Sequence, residues 1–186
     1  MNNHNISRED LFSFLDRGIE KSIERHKLDL TSSAQKYLVE MLEHFAETFG
    51  VEQDTWLTPI TFQYQRVTEE TNRMQRTQLQ KELGDHCLLL VGFFYDYVSR
   101  HGEGQVKYHI QLGSTAYLQT GKLPYVELGE KFNELYLVIG DLHLPTINNE
   151  KIVGLYEKWL ETGDRYYESL LMGKGVMPKR SKPENN

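Results

Sequence analysis

Residues 82–87, ELGDHC, bring two carboxylates, an imidazole and a thiol close together at the start of an apolar run. Side chains four residues apart share one face of a helix, so Glu82 and His86 could share a metal ion or fix the tautomer of the imidazole. A helical wheel places His86 in the middle of the apolar stripe, Glu82 at its edge and Asp85 further round. The pattern predicts either a ligand site or a buried neutral histidine that is hydrogen-bonded to Glu82, Asp85 or a tyrosine.

A second histidine, His109, lies near the apolar face of the following segment. If His109 approaches His86, with Glu82 and Asp85 beside them, these four side chains predict a site for one Zn or Fe ion. The competing interpretation is a structural His86 and an edge His109 that meets solvent, since one histidine on a core face usually has a structural role. We therefore predict no cofactor, with the single Zn or Fe ion as the alternative.

A dinuclear metal centre in a helical bundle needs carboxylates and histidines that converge from several helices. Glu40 and His44 repeat the four-residue spacing of Glu82 and His86, a spacing that a heme-oxygenase-like oxidase tolerates better than a ferritin-like one. On its own wheel, however, the first pair lies on the polar side of its helix and would face away from the second. Of the candidate metal sites, the sequence therefore favours the dinuclear centre least.

The single cysteine, Cys87, is predicted to be an unreactive core thiol. His86 is its neighbour in sequence, but successive helical residues point about 100° apart, so the imidazole is badly placed to activate the thiol. Burial among apolar side chains raises the pKa of a thiol and opposes its reactivity.

Apolar residues recur at helical spacing along most of the chain, and alternation typical of strands is scarce. We predict an all-α, single-domain bundle of about six or seven helices around a buried central helix at about 69–99, whose second half is apolar on nearly every side. Asn148 is a predicted N-cap for the last helix. Gly84, Gly92 and Gly113 are predicted to permit close helix crossings, with room for a ligand or a kink at Gly84 as the alternative.

Residues 1–172 form the predicted helical domain, and residues 173–186, rich in Gly, Pro, Ser, Asn and Lys, form a predicted flexible basic tail. The formal charge of -6 argues against a nucleic-acid partner. The longest apolar run is far shorter than the roughly 20 residues that span a bilayer, and the start lacks the pattern of a secretory signal. These features predict a cytoplasmic protein without a membrane span.

Tyrosine is abundant, with 11 residues in the chain. Tyrosine suits interfaces and pocket mouths, where the ring is covered and the hydroxyl stays wet. The competing interpretation is ordinary half-buried packing. The predicted interaction surface consists of the tyrosines of the central region: Tyr95, Tyr97, Tyr108, Tyr117, Tyr125 and Tyr136.

The stretch LGDHCLLLVGFFYDYVSRHGEGQVKYHIQLGSTAY, residues 83–117, resembles a group of uncharacterised bacterial proteins. The shared features are a Gly-Asp near a helix start, an apolar Gly-Phe-Phe, and a tyrosine-rich segment that leads to a Gly followed by Ala-Tyr. This resemblance implies a bacterial, all-helical protein. It implies no activity, ligand or functional residue.

Without a convergent catalytic set, the sequence favours a non-catalytic protein-interaction module that acts as a homo-oligomer, most simply a homodimer. The alternative is a metal- or small-ligand-dependent enzyme, such as a heme-oxygenase-like or ferritin-like helical oxidase, with its site near Glu82 and His86. A third hypothesis is a pocket for an apolar ligand under Phe93 and Phe94.

Overall fold

The computed structural model describes residues 8–48 and 59–179. Within these ranges the chain is helical and contains no strand, which confirms the all-α prediction. The ten α-helices of the described part are α1 (Arg8–His26), α2 (Ser32–Thr48), α3 (Ile60–Glu69), α4 (Arg73–Phe93), α5 (Tyr95–Arg100), α6 (Glu103–Gln119), α7 (Tyr125–Glu130), α8 (Phe132–Gly140), α9 (Asn149–Thr162) and α10 (Arg165–Gly173), with a 3-10 helix at Asp141–Thr146 between α8 and α9.

The chain forms two compact units, residues 1–139 and residues 140–186. The predicted boundary between a helical domain at 1–172 and a flexible tail at 173–186 stays a prediction. The tail is described as far as residue 179, where the Lys179 carbonyl accepts a hydrogen bond of 3.1 Å from the Tyr156 hydroxyl. Residues 180–186 lie outside the described part of the chain.

Helix α4 is the central helix of the first unit, as its sequence predicts. Residues 83–89 are all buried, so this stretch is covered on every side of the helix. Its main neighbours are α6 and α3. A stretch of helix that is apolar all round must be covered all round, and this requirement places α4 in the core.

The predicted long helices are divided in the structure, which explains why there are more helices than the predicted six or seven. The central segment ends at Phe93, and the backbone of Phe94 leaves the helical conformation before α5 begins. Asn72 begins α4 because its side chain accepts hydrogen bonds from the backbone N–H groups of Met74 and Gln75, so the predicted start at residue 69 is wrong. The backbone leaves the helical conformation in the same way at Lys131, which separates α7 from α8.

In the second unit, Asn148 caps α9 by accepting from the Lys151 N–H, which confirms the predicted N-cap. Helix α9 ends at Gly163, whose φ of 67° is left-handed and favours glycine. Asp164 then caps α10. Two short helices therefore replace one long helix because a glycine stop is followed at once by a new cap.

Close helix crossings at the predicted glycines are confirmed. A Cβ atom at Gly84 would lie 2.5 Å from the ring of Tyr117, and one at Gly92 would lie 2.6 Å from Ile139. At Gly113 it would lie 2.4 Å from the ring of Phe132 and 2.6 Å from the Cβ of Cys87. Gly84 and Gly113 thus allow α4 and α6 to approach each other closely, and Gly92 allows the close approach of α8 to α4.

Cys87 itself is fully buried in this crossing, as predicted. Burial raises the pKa of its thiol. Within the described residues, no helix has both the length and the apolar composition needed to cross a membrane. The cytoplasmic location stays a prediction.

Candidate functional site

The four predicted metal ligands point into different surroundings. Asp85 and His86 are adjacent in sequence, so the helix turns their side chains about 100° apart, toward different neighbouring helices. Glu82 is exposed and accepts a hydrogen bond from Gln78 at 2.9 Å. Among the described residues, no group of three or more His, Cys, Asp or Glu side chains is arranged to hold a metal ion. The structure therefore does not bring the predicted quartet together.

Asp85 lies at the centre of a buried polar cluster that the sequence did not reveal. It is 7% exposed, although its position on the wheel predicts a side chain outside the densest apolar stripe. The Tyr37 hydroxyl donates to its carboxylate at 2.6 Å, the Tyr117 hydroxyl at 2.7 Å, and the Lys81 ammonium lies 2.9 Å away. The carboxylate thereby links α2, α4 and α6.

Opposing effects act on the ionisation of this cluster. Burial raises the pKa of Asp85, whereas the charge of Lys81 and the two tyrosine hydroxyls act in the opposite direction. The pKa of Tyr37 and that of Tyr117 are both raised, first by burial and then by the neighbouring Asp85. Both phenols consequently stay protonated at neutral pH and serve as hydrogen-bond donors. Burial, the largest of these effects, raises the pKa of Asp85 overall, and its carboxylate connects three helices.

His86 is buried and is hydrogen-bonded to Gln63 of α3. The sequence predicts Glu82, Asp85 or a tyrosine in this role. The side-chain amide of Gln63 donates to Nδ1 of His86 at 2.5 Å. Nδ1 of His109 donates to the Gln105 carbonyl at 2.7 Å, and His109 is only 8% exposed, so the predicted solvent contact is small. Burial, with the proximity of His109 as the second cause, lowers the pKa of His86 to about 4. His86 is therefore neutral at physiological pH, in agreement with the structural interpretation.

This lowered pKa predicts acid sensitivity. The imidazole of the unfolded chain takes up a proton near pH 6.5, whereas that of the folded chain does so only near pH 4. Between these values the unfolded state binds more protons, so the free energy of unfolding falls as the pH falls. We expect His86 to account for a loss of about 2 kcal/mol between about pH 6.5 and pH 5, measured by urea unfolding.

The matched measurement uses His86→Gln, which cannot titrate at this position. Between about pH 6.5 and pH 5, this variant should lose about 2 kcal/mol less stability than the parent, whatever its absolute free energy of unfolding at neutral pH. His44→Gln, which removes an exposed imidazole from α2, controls for the loss of one histidine. Equal pH dependence in the parent and His86→Gln would contradict the account.

The six tyrosines of the predicted interaction surface do not form one surface. Tyr95, Tyr117 and Tyr136 are each 6% exposed or less, so the inclusion of these three is wrong. Tyr125 is half-buried and stacks on Tyr117. Of the six, Tyr97 and Tyr108 are exposed, at 63% and 42%. Self-association stays a prediction, and two exposed tyrosines are what remain to support it.

The rings of Phe93 and Phe94, under which the sequence places an apolar pocket, pack on Phe45 of α2. Their centroids lie 5.7 and 6.1 Å from that of Phe45. These two phenylalanines are absent from the lining of the large cleft described next.

A cleft of about 850 Å³ lies between α3, α4 and α6 in the first unit. This volume is within the range of about 300–1,000 Å³ that small-molecule sites occupy. Buried Val67, Leu83 and Ala116 contribute apolar surface, and Tyr64 and Tyr108 are exposed aromatic side chains on opposite walls. The polar residues of the lining are Thr68, Arg73, Arg76, Thr77, Gln80, Gln111, Thr115, Gln119 and Thr120.

The charge of this cleft differs from that of the whole chain. Arg73 and Arg76 line it, and no Asp or Glu is found among its described lining residues, although the chain has a formal charge of -6. Within the described part of the chain, neither guanidinium has an ion-pair partner. In the sequence alone, each of these arginines is typical of a solvated helix surface, so neither is predicted to line a site.

A pair of glutamine side chains joins the two long walls of the cleft. Gln80 of α4 is 7% exposed, and its amide donates to the side-chain oxygen of Gln119 at 3.3 Å. Each glutamine keeps further donor or acceptor capacity beyond this bond. The cleft can therefore offer hydrogen bonds next to its two positive charges.

Comparison with known proteins adds no assignment. No family model, curated protein or solved structure matches this chain. The resemblance to uncharacterised bacterial proteins, and the bacterial origin that it implies, stay predictions.

Proposed function

We propose that this protein is a binding protein for a small organic anion, which occupies the cleft between α3, α4 and α6. The observation that carries the proposal is the pair of arginines, Arg73 and Arg76, which line the cleft without a carboxylate partner in the described residues. A guanidinium presents N–H donors in a planar fork that matches carboxylate and phosphate groups. Electrostatic complementarity therefore favours an anionic ligand over a neutral or cationic one.

The remaining lining supports binding of a small molecule. Small-molecule sites are concave and combine apolar surface with polar groups that fix the orientation of the ligand, and this cleft has both. Leu83 and Val67 provide apolar surface, and Gln80 and Gln119 provide amide groups. This proposal gives the small-ligand hypothesis from the sequence a different location, away from Glu82 and Phe93.

A thermal-shift assay with acetate, citrate, AMP, decanoate and inorganic phosphate tests the proposal. A ligand that binds only the folded state stabilises it by RT ln(1 + [L]/Kd), so the melting temperature rises with the concentration and the affinity of the ligand. We expect at least one anion to stabilise the parent and to bind at least tenfold more weakly to the Arg73→Gln/Arg76→Gln variant. Both arginines are exposed, so the double variant should fold normally.

The matched control is Arg66→Gln, which removes an exposed arginine of α3 that is absent from the cleft lining. It should retain the affinity of the parent, because its charge lies outside the site. The proposal fails if none of these anions stabilises the parent, or if the double variant binds as tightly as Arg66→Gln.

A further inference from the structure

The cleft changes in character along its length. On α4 the lining residues follow one another as charged Arg73 and Arg76, then polar Gln80, then apolar Leu83. Leu83 lies seven residues after Arg76, which corresponds to about 10 Å along the helix axis. One end of this wall is therefore cationic, and the other is apolar.

Helix α6, the other long wall, runs antiparallel to α4. Gln119 meets Gln80 through their hydrogen bond, whereas Gly113, six residues earlier, lies against Cys87. Leu112 of the cleft lining consequently lies toward the apolar end, near Leu83. The apolar residues Leu112 and Ala116 of α6 thus lie on the same side of the Gln80–Gln119 pair as Leu83, beside the polar Gln111 and Thr115.

Helix α3 completes the apolar end. Gln63 near its start is hydrogen-bonded to His86, three residues beyond Leu83, while its last residue is joined to α4 by the short connection at residues 70–72. Tyr64 therefore lies on the Leu83 side of the cleft, whereas Val67 and Thr68, near the end of α3, lie closer to the arginines. Tyr64 and Tyr108, the exposed aromatic residues of α3 and α6, offer ring surface to a bound apolar group.

From this gradient we infer that the ligand is an amphiphilic anion, with a carboxylate or phosphate head at Arg73 and Arg76 and an apolar chain over Leu83 and Leu112. The inference rests on the proposed function and specifies its ligand class. The charged head gains charge-assisted hydrogen bonds from the arginines. The chain gains by removing apolar surface from water, so affinity should rise with chain length until the apolar end is filled.

Isothermal titration calorimetry with two matched series tests the inference, each probe being kept below its aggregation concentration. The carboxylate series is acetate, hexanoate and decanoate, and the phosphate series is inorganic phosphate, hexyl phosphate and decyl phosphate. The better series identifies the head group. We expect at least tenfold tighter binding of the longest member than of the shortest, and at least tenfold weaker binding of decanamide, which lacks the charge.

Two variants locate the chain. Thr115→Trp adds a large ring at an exposed position of the α6 wall and should weaken binding of the longest probe at least tenfold. Gln105→Trp adds the same ring at an exposed position of α6 outside the cleft lining and should leave affinity unchanged. Equal effects of the two substitutions would overturn the placement of the chain in the cleft.

The results separate this inference from the proposed function. If acetate, inorganic phosphate or AMP binds as tightly as decanoate and decyl phosphate, and Arg73→Gln/Arg76→Gln abolishes that binding, the apolar chain is wrong and the anion site stands. If decanamide binds as tightly as decanoate, the anionic head is wrong. If no probe binds the parent, both proposals fail.

Discussion

Replacement of Asp85 by alanine is expected to lower the free energy of unfolding by about 3 to 5 kcal/mol, the largest effect that we predict for a single side chain. The carboxylate is 7% exposed and receives hydrogen bonds from Tyr37 and Tyr117 in addition to the ion pair with Lys81. Its removal leaves the buried Tyr117 hydroxyl, the half-buried Tyr37 hydroxyl and the half-buried Lys81 ammonium group without this acceptor. These polar groups then have no hydrogen bond in the folded protein to replace the one that they made with water in the unfolded chain.

Urea unfolding followed by circular dichroism measures this effect. Glu82→Ala is the matched control, because it removes a carboxylate from the same helix at an exposed position, and it should change stability by less than about 0.5 kcal/mol. Asp85→Asn, which keeps one acceptor oxygen, should lie between Glu82→Ala and Asp85→Ala. If Asp85→Ala were as stable as Glu82→Ala, Asp85 would not be the link between α2, α4 and α6.

Replacement of Gly113 by alanine is expected to lower the free energy of unfolding by about 3 kcal/mol, at the upper end of the usual cost of overpacking. The added Cβ would lie 2.4 Å from the Phe132 ring and 2.6 Å from the Cβ of Cys87. The Cys87 atom is attached directly to the backbone of α4, so the clash cannot be relieved by rotation of a side chain. The two helices must separate, and this movement would disturb the packing of the fully buried Phe132.

The same urea measurement on Gly154→Ala provides the control. Gly154 is inside α9, and a Cβ atom there would have no heavy atom within 4 Å. Alanine should therefore stabilise that helix by up to about 1 kcal/mol through its higher helix propensity. A Gly113→Ala variant that gained stability in the same way would show that α4 and α6 are not in close contact at this point.

The elements that the sequence predicts well are those whose evidence is local. The buried stretch of α4 follows from its nearly continuous apolar side chains, and the cap at Asn148 follows from one residue beside a helix start. The close crossings follow from glycines that helix propensity alone does not favour. Each of these features depends on neighbouring residues or on one face of one helix.

The Asp85 cluster shows why the rest could not be predicted. The two tyrosines that donate to Asp85, Tyr37 and Tyr117, lie 48 residues before it and 32 residues after it in the sequence. A helical wheel gives the direction of a side chain relative to its own helix and does not give what approaches from outside. The sequence predicts a surface position for Tyr117 for the same reason. It does not show that the Tyr117 hydroxyl donates to Asp85 in the folded protein.

The cleft depends on a break between α3 and α4 that the prediction of one central helix from about residue 69 does not include. Residues 70–72 separate α3 from α4, so the polar start of the predicted central helix becomes one wall of a cleft. The Asn72 cap is a signal that could have placed this break, because asparagine often precedes the first turn of a helix. Because α3 ends before α4 begins, Arg73 and Arg76 line a cleft between helices. On one continuous helix, the same two arginines would be interpreted as part of a solvated surface.

A crystal structure of the protein grown with decyl phosphate tests the central claim, anion binding in the cleft, most directly. We predict that the phosphate lies within hydrogen-bonding distance, about 3 Å, of the guanidinium of Arg73 or Arg76. Its alkyl chain should extend past Gln80 to Leu83, between α3 and α6. A cleft that stays empty at saturating decyl phosphate, or a phosphate bound away from both arginines, would contradict the account.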